Sequence, residues 1–278
     1  MSTRVVHVEY ERIGRWVTNF ARRHGGAIIL PDAEGANLAM PDGEGSPSGS
    51  AADNADMPLP DGEDSPSGSG VDGANMPPRG QADVLRIRGV DGEIADLHRW
   101  SHAHPREAAL MPAPEAGDVT EPQHLEAIAS WCAPPTHLGL VLIRRGGYAV
   151  GRAQGPALAS HKTGTRYVQS RTAAGGWSQQ RFARRRGNQA EALVATVVDL
   201  AAHHLLPPPA GSAPHLPEAM VLGGDRVLAE QVLGHPELGE LARLPRRVFA
   251  DLPEPRFAVL ETALQRGRSV PVHITPGR

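Results

Sequence analysis

"HLGLVLIRRGGYAVGRAQ", residues 137–154, holds two strand-length runs on either side of a glycine pair, and a third run, "TRYVQS" at 165–170, follows. Short glycine turns between apolar runs of this length predict an antiparallel meander. Downstream, Asn188 to Leu205 reads as a helix. Asn188 is a suitable N-cap, Glu191 stands three residues later as in a capping box, and Leu193, Val194, Val197, Leu200 and Ala201 share one face. Beyond the prolines at 207–209 the order is strand "AMVLGG", helix "DRVLAEQVL", strand "RRVFA", helix "RFAVLETALQ" and strand "SVPVHI". This βαβαβ alternation after a meander predicts a mixed β-sheet covered by helices, of α+β or α/β class. "LGGD" at 222–225 looks like a glycine-rich anion-binding turn, but it lacks the third glycine of a dinucleotide fingerprint and any Gly-Lys-Ser/Thr. It is therefore read as a plain strand-to-helix turn.

Upstream, Ile13, Trp16, Val17 and Phe20 place one apolar stripe on a helix over 9–24, and Gly25 and Gly26 stop it. "GGAIIL" at 25–30 and "ADVLRIRGV" at 82–90 are two strands that a hairpin turn could otherwise join, and "EIADLHRW" follows. Residues 1–105 thus form a small N-terminal α+β unit. Residues 106–130 form a Pro-rich linker ending in a short helix, "HLEAIASW", and 131–278 form the main domain.

The segment between the two N-terminal strands is of another kind. "PDGEGSPSGS" at 41–50 recurs as "PDGEDSPSGS" at 60–69, and residues 31–78 carry ten acidic residues with no Lys or Arg. So few large apolar residues cannot offset the entropy of ordering the chain, so about 31–80 is read as a disordered acidic insert. It hides a charge asymmetry. The formal net charge is -3, yet the rest of the chain holds 28 basic residues against 21 acidic. Residues 127–190 carry ten Lys or Arg and no Asp or Glu, a single-signed run that points to a polyanion such as nucleic acid.

Other classes are excluded by what is missing. Cys132 is the single cysteine, so there is no internal disulfide and no Cys-x-x-Cys, which fits a reducing compartment. The first residues, "MSTRVVHVEYERIG", lack an apolar signal core, and no run reaches the ~18 apolar residues needed to span a bilayer, so a cytoplasmic protein is expected. The histidines do not cluster for a metal: His203 and His204 are adjacent, and His98, His102 and His104 have no cysteine beside them. No cofactor is called for. There is no G-x-S-x-G, and "GGWSQQ" lacks its second glycine, which argues against a serine hydrolase.

What remains is residues 164–188, "GTRYVQSRTAAGGWSQQRFARRRGN". Gly175 and Gly176 allow close backbone approach. Arg166 and Arg171 before the tip, and Arg181, Arg184, Arg185 and Arg186 after it, can clamp phosphates on both sides. The tip itself, Trp177, Ser178, Gln179 and Gln180, carries no charge. A glutamine amide both donates and accepts, and so can hold a water where a carboxylate would be repelled by phosphates.

At these residues the chain resembles the central catalytic domain of eukaryotic and archaeal peptide-chain release factors, whose tip reads Gly-Gly-Gln. It is more similar still to the Vms-like release factors, peptidyl-tRNA hydrolases of ribosome quality control whose tip reads Gly-Ser-Gln; "TRYVQSRTAAGGWSQQRFARRRGNQA" looks like their bacterial, actinobacterial branch. The resemblance covers about residues 130–275. It departs at the tip, where Trp177 precedes Ser178 and Gln179 and the glycine falls one residue back, so Gln179 and Gln180 both stand for the family glutamine, with Gln179 favoured because it follows Ser178 directly. The resemblance implies hydrolysis of the ester that joins a nascent peptide to tRNA, on the ribosome or its large subunit. The glutamine would position water, the glycines would fit the tip against the terminal adenosine, and the arginines would neutralise tRNA or ribosomal RNA phosphates. Trp177 either stacks on a base or packs back to anchor the loop. Two other classes stay open: a ribosome-binding or RNA-binding rescue factor without catalysis, and an RNA-cleaving enzyme. The second would want a base or metal near the loop, and no His or carboxylate lies between His161 and Glu191.

Overall fold

Eleven strands in two sheets, with six α-helices and two 3-10 turns, make up the described part of the chain. The computed structural model describes residues 2–30, 83–101, 113–165, 178–207 and 215–277, and over 178–186 the backbone alone. The acidic repeat and the proposed strand "TRYVQS" beyond Thr165 lie outside the described residues. Met1–Asp32 and Ala74–Arg278 belong to one compact unit.

The first sheet has the order β1 (Arg4–Val8), β11 (Val270–Thr275), β4 (Ile94–His98), β3 (Val84–Gly89), β2 (Ala27–Ile29), β5 (Gly117–Asp118), with every neighbouring pair antiparallel. Alternation along β3 turns Leu85 and Ile87 to the core and Arg86 and Arg88 outward. The buried face is covered by α1 (Ile13–Arg23) and α2 (Pro122–Trp131). On α1 the side chains of Ile13, Val17 and Phe20 are at most 5% exposed, and each such burial contributes about 1.5–3 kcal/mol. A 3-10 turn, Tyr10–Arg12, precedes α1. The helix ends where expected: Gly25 and Gly26 take φ of 71° and 116°, and the Gly26 N–H donates to the Ala21 carbonyl at 2.8 Å. β2 pairs with β3 as a hairpin would, Ala27 opposite Gly89, despite the long segment between them. β1 was not legible as a strand, and the Pro-rich stretch read as linker contributes β5 at the sheet edge.

The second sheet has the order β10 (Arg246–Phe249), β9 (Ala219–Gly224), β6 (His137–Arg144), β7 (Gly147–Gln154), β8 (Ala157–Thr165). β10, β9 and β6 run parallel, and β6, β7 and β8 form the antiparallel meander, so the sheet is mixed. α3 (Ser178–Leu205), α4 (Arg226–Leu233) and the short α5 (Gly239–Ala242) cover one face; α6 (Phe257–Arg268) covers the other. Burial on both sides explains why the middle of β6 is a continuous apolar run. Gly224, at φ 91°, turns the chain out of β9, and Asp225 caps α4 by accepting from the N–H of Val227 at 3.1 Å and of Leu228 at 3.2 Å. The "LGGD" turn is the plain strand-to-helix turn expected.

Three local readings are corrected. The third strand of the meander is Ala157–Thr165, "ALASHKTGT", which the sequence did not mark; of the segment 165–170 read as that strand, Thr165 alone lies among the described residues. β8 is an edge strand held by backbone pairing to β7, so it needs little apolar patterning and gave no signal. The helix after the loop begins at Ser178 rather than Asn188. Arg, Gln and Ala are strong helix formers and carry it through Gly187 and Asn188, which are interior to the helix and form no cap. The last strand leaves the C-terminal sheet altogether: β11 lies between β1 and β4 of the first sheet.

Contacts around this crossing tie the two sheets. The Trp100 indole donates to the Gly267 carbonyl at 2.9 Å, and the Arg247 guanidinium lies 4.3 Å from the Trp100 ring. Arg268 donates to Glu11 at 2.6 Å, which holds that carboxyl below its ordinary pKa. Cys132 is buried in the first core, and desolvation pushes its thiol pKa up to about 12, so it is an unreactive packing residue.

Candidate functional site

The site is organised by where β8 ends and α3 begins. β8 runs to Thr165, which pairs with Gly147 at the β6–β7 turn. Arg166, Arg171, Gly175, Gly176 and Trp177 lie in the following segment, outside the described residues. Ser178, Gln179 and Gln180 form the first turn of α3, and Arg181, Arg184, Arg185 and Arg186 follow on the same helix. The glutamines expected on a loop tip are therefore at a helix N-terminus. Free backbone N–H groups and the positive end of the helix dipole gather there, with no acidic residue in the first turn.

The later turns of the helix pack on the sheet. Gly187 and Asn188 are exposed, and Ala190, Leu193, Val197, Val198, Ala201 and Leu205 pack against the sheet. Tyr148, on the first residues of β7, belongs to the same cluster. At 1.5 Å per residue, the twelve residues from Ser178 to Gln189 span roughly 18 Å of helix ahead of Ala190. At the other end Arg152, 5% exposed on β7, donates to the carbonyls of Leu205 and His215, satisfying the helix C-terminus with a cation.

This divides the acid-free run. Arg152 is buried structure, and Arg144 donates from Nε to the Leu252 carbonyl and from NH2 to the Ala250 carbonyl, each at 2.9 Å. Neither is available to a polyanion. Arg145 has a side chain 70% exposed, 4.0 Å from Asp225, and Lys162 on β8 is exposed. Towards the end of α3, His204 lies 3.3 Å from the Ser160 hydroxyl, and its pKa is lowered by desolvation and by the neighbouring His203, His161 and Lys162. Among the described residues no group of His, Cys, Asp or Glu could hold a metal, and no helix is long and apolar enough to cross a membrane.

The structure adds residues that sequence reading did not mark. The segment before α6 lies against the β6–β7 turn: a Cβ on Gly147 would meet Glu254 Oε1 at 3.1 Å and the Pro255 carbonyl oxygen at 3.6 Å. Arg256 and Phe257, which open α6, are exposed at this end of the sheet, with the Phe257 ring 4.7 Å from that of His161. Some ninety residues separate them in sequence, and no local pattern could have joined them.

No curated protein matches the chain. Among solved structures it is similar to one titled "Vms1 mitochondrial localization core", with a TM-score of 0.35 and 10% sequence identity over 68% of this chain and 76% of that chain. Residues 136–273 match the family model described as the Actinobacteria/chloroflexi VLRF1 release factor, acVLRF1. That span runs from the meander through the glutamine segment and α3 to the crossing strand, and over it the chain belongs to this VLRF1 family of Vms-like release factors.

Proposed function

We propose that the protein is a peptidyl-tRNA hydrolase that releases nascent peptides from tRNA on stalled ribosomes or their large subunits, in the cytoplasm. The observation that carries this reading is the glutamine pair in the first turn of α3, followed by four arginines on the same helix, in a chain of the release-factor family. Residues 131–278 are assigned the reaction. Water held by the amide of Gln179 or Gln180 attacks the ester carbonyl. The tetrahedral oxyanion is stabilised by backbone N–H donors at the helix start, and the ribose oxygen departs with a proton. The products are the free peptide carboxylate and the tRNA 3′-terminal hydroxyl, with no cofactor. Gly175, Gly176 and Ser178 let the tip approach the terminal nucleotide. Arg166, Arg171, Arg181, Arg184, Arg185 and Arg186 hold tRNA or ribosomal RNA phosphates, and Trp177 meets a base.

Consecutive residues of an α-helix are rotated by about 100°, so the two glutamines cannot occupy the same place relative to one ester. The test is release of labelled peptide from stalled peptidyl-tRNA on large subunits by the wild type, Gln179→Ala and Gln180→Ala. Release by the wild type should fall by about 10²-fold or more in one variant, with ribosome binding retained in both. Binding without release in all three would leave a non-catalytic ribosome-binding factor.

A further inference from the structure

The geometry points to a second RNA contact, separate from the glutamine segment: Phe257, His161 and Arg256 form a platform for one unpaired nucleotide, the base stacking on Phe257 and its phosphate meeting Arg256. This rests on the reading of the protein as an RNA-directed factor and names part of the RNA it holds.

Phe257 is 44% exposed, unusual for a ring in a protein whose other large apolar side chains mostly enter the cores. Its position explains the exposure. It is the first residue of α6, and α6 reaches the sheet core with Leu260, Ala263 and Leu264. The ring instead meets the edge strand, with its centroid 4.7 Å from that of His161 and the planes inclined at 44°. One aromatic surface thus stands at the open side of β8, the last strand of its sheet.

A cation adjoins the ring. Arg256 precedes the ring and is exposed; its backbone carbonyl accepts from the Leu260 N–H at 2.9 Å, and its guanidinium has no hydrogen-bond or ion-pair partner among the described residues. Lys162, the next residue of β8, is exposed but alternates to the other face of the sheet, on the side of α3 and His204. The nearest carboxylate on the segment, Glu254, is turned inward against Gly146 and Gly147, with Oε1 buried. Glu261, one turn further along α6, is exposed. An exposed ring with an adjoining unpaired cation suits a base and its phosphate, because every base offers a π-face and the guanidinium forks onto phosphate oxygens. The location supports the same ligand. Glu254 and Pro255, just before the platform in sequence, lie on Gly147, whose strand partner is Thr165, the last residue of β8. His161 of the platform is four residues along β8 from Thr165, the residue that precedes the glutamine segment in sequence. Paired bases hide their faces in the stack, so a duplex would not use the ring.

The experiment is binding of a short unstructured single-stranded RNA, and of its abasic counterpart, by the full-length wild type, Phe257→Ala, Phe257→Trp and Arg256→Gln. Phe257→Ala should bind the normal RNA about ten-fold more weakly and the abasic RNA like the wild type. Phe257→Trp should restore affinity, and Arg256→Gln should lower the slope of log K against log salt by about 0.7 on both RNAs. A Phe257→Ala variant that binds both RNAs like the wild type, or loses equally on both, overturns the platform. The first result leaves a ring free for a protein partner, and the second reflects a disturbed fold. If the wild type binds no RNA, the failure lies with the proposed function; if it binds and only the base dependence is missing, the platform alone fails.

Discussion

Gly224 shows how one residue sets the geometry at the end of the second sheet. At φ 91° an L side chain is strained, and a Cβ there would collide with the Ile143 carbonyl oxygen on the neighbouring strand. Gly224→Ala should lower stability by roughly 2–3 kcal/mol, seen as a lower urea midpoint at unchanged slope. A wild-type midpoint would mean that the β9–α4 turn relaxes without cost. The role is conformational, although the same residues in sequence look like an anion-binding turn. Arg152 teaches a similar lesson. It sits in a run of positive charge that signals a polyanion, yet its guanidinium is spent on the carbonyls that end α3. Net charge along a chain says what a region carries, and only burial says which charges reach solvent.

At the scale of elements, α3 has two halves with different work. Its later turns are held by Leu193, Val197, Ala201 and Leu205, while its first turns carry the glutamines and arginines. The division predicts separable effects. Replacing Arg184, Arg185 and Arg186 together by Gln should leave the melting transition nearly unchanged, since Gln is also a good helix former. It should reduce the salt slope of ribosome or RNA binding by about 2, given some 0.7–0.9 per phosphate contact. An unchanged slope in a folded variant would show that these arginines do not meet phosphates. Lengthening of the helix past Asn188 follows from propensity: a cap is only a start signal if the residues before it disfavour helix, and here Gln179 to Arg186 favour it strongly enough to carry it through Gly187.

For the whole molecule, the decisive feature is the crossing of β11 into the first sheet, between β1 and β4. A chain ending at Arg268 would leave β1 without its partner strand and open the core around Val270, Val272 and Ile274, all at most 5% exposed. Such a chain should lose cooperative unfolding. Deleting residues 35–78 should not, because β2 and β3 pair with each other directly and their registers do not pass through the repeat. The two deletions, compared by thermal melting with circular dichroism, should give opposite results. Loss of the transition in the second would make the acidic repeat part of the folded structure.

The sequence by itself determined the local features that depend on near neighbours. The amphipathic stripe of α1, the glycine stop behind it, the apolar run of β6, the β-α alternation after the prolines and the mixed sheet were all legible, because periodicity reports burial directly. The glutamine segment and its arginines stand out by composition, and the span of the family match includes them. Only the tertiary structure decided the rest, for one physical reason: contacts between distant residues leave no periodic trace. β8 is a polar edge strand stabilised by its neighbour's backbone, and β11 could satisfy its alternation in either sheet. The setting of Phe257 beside His161 depends on α6 crossing the meander. Neighbouring residues set which segments could be strands or helices, and long-range packing chose which sheet, which face and which end of the molecule they serve.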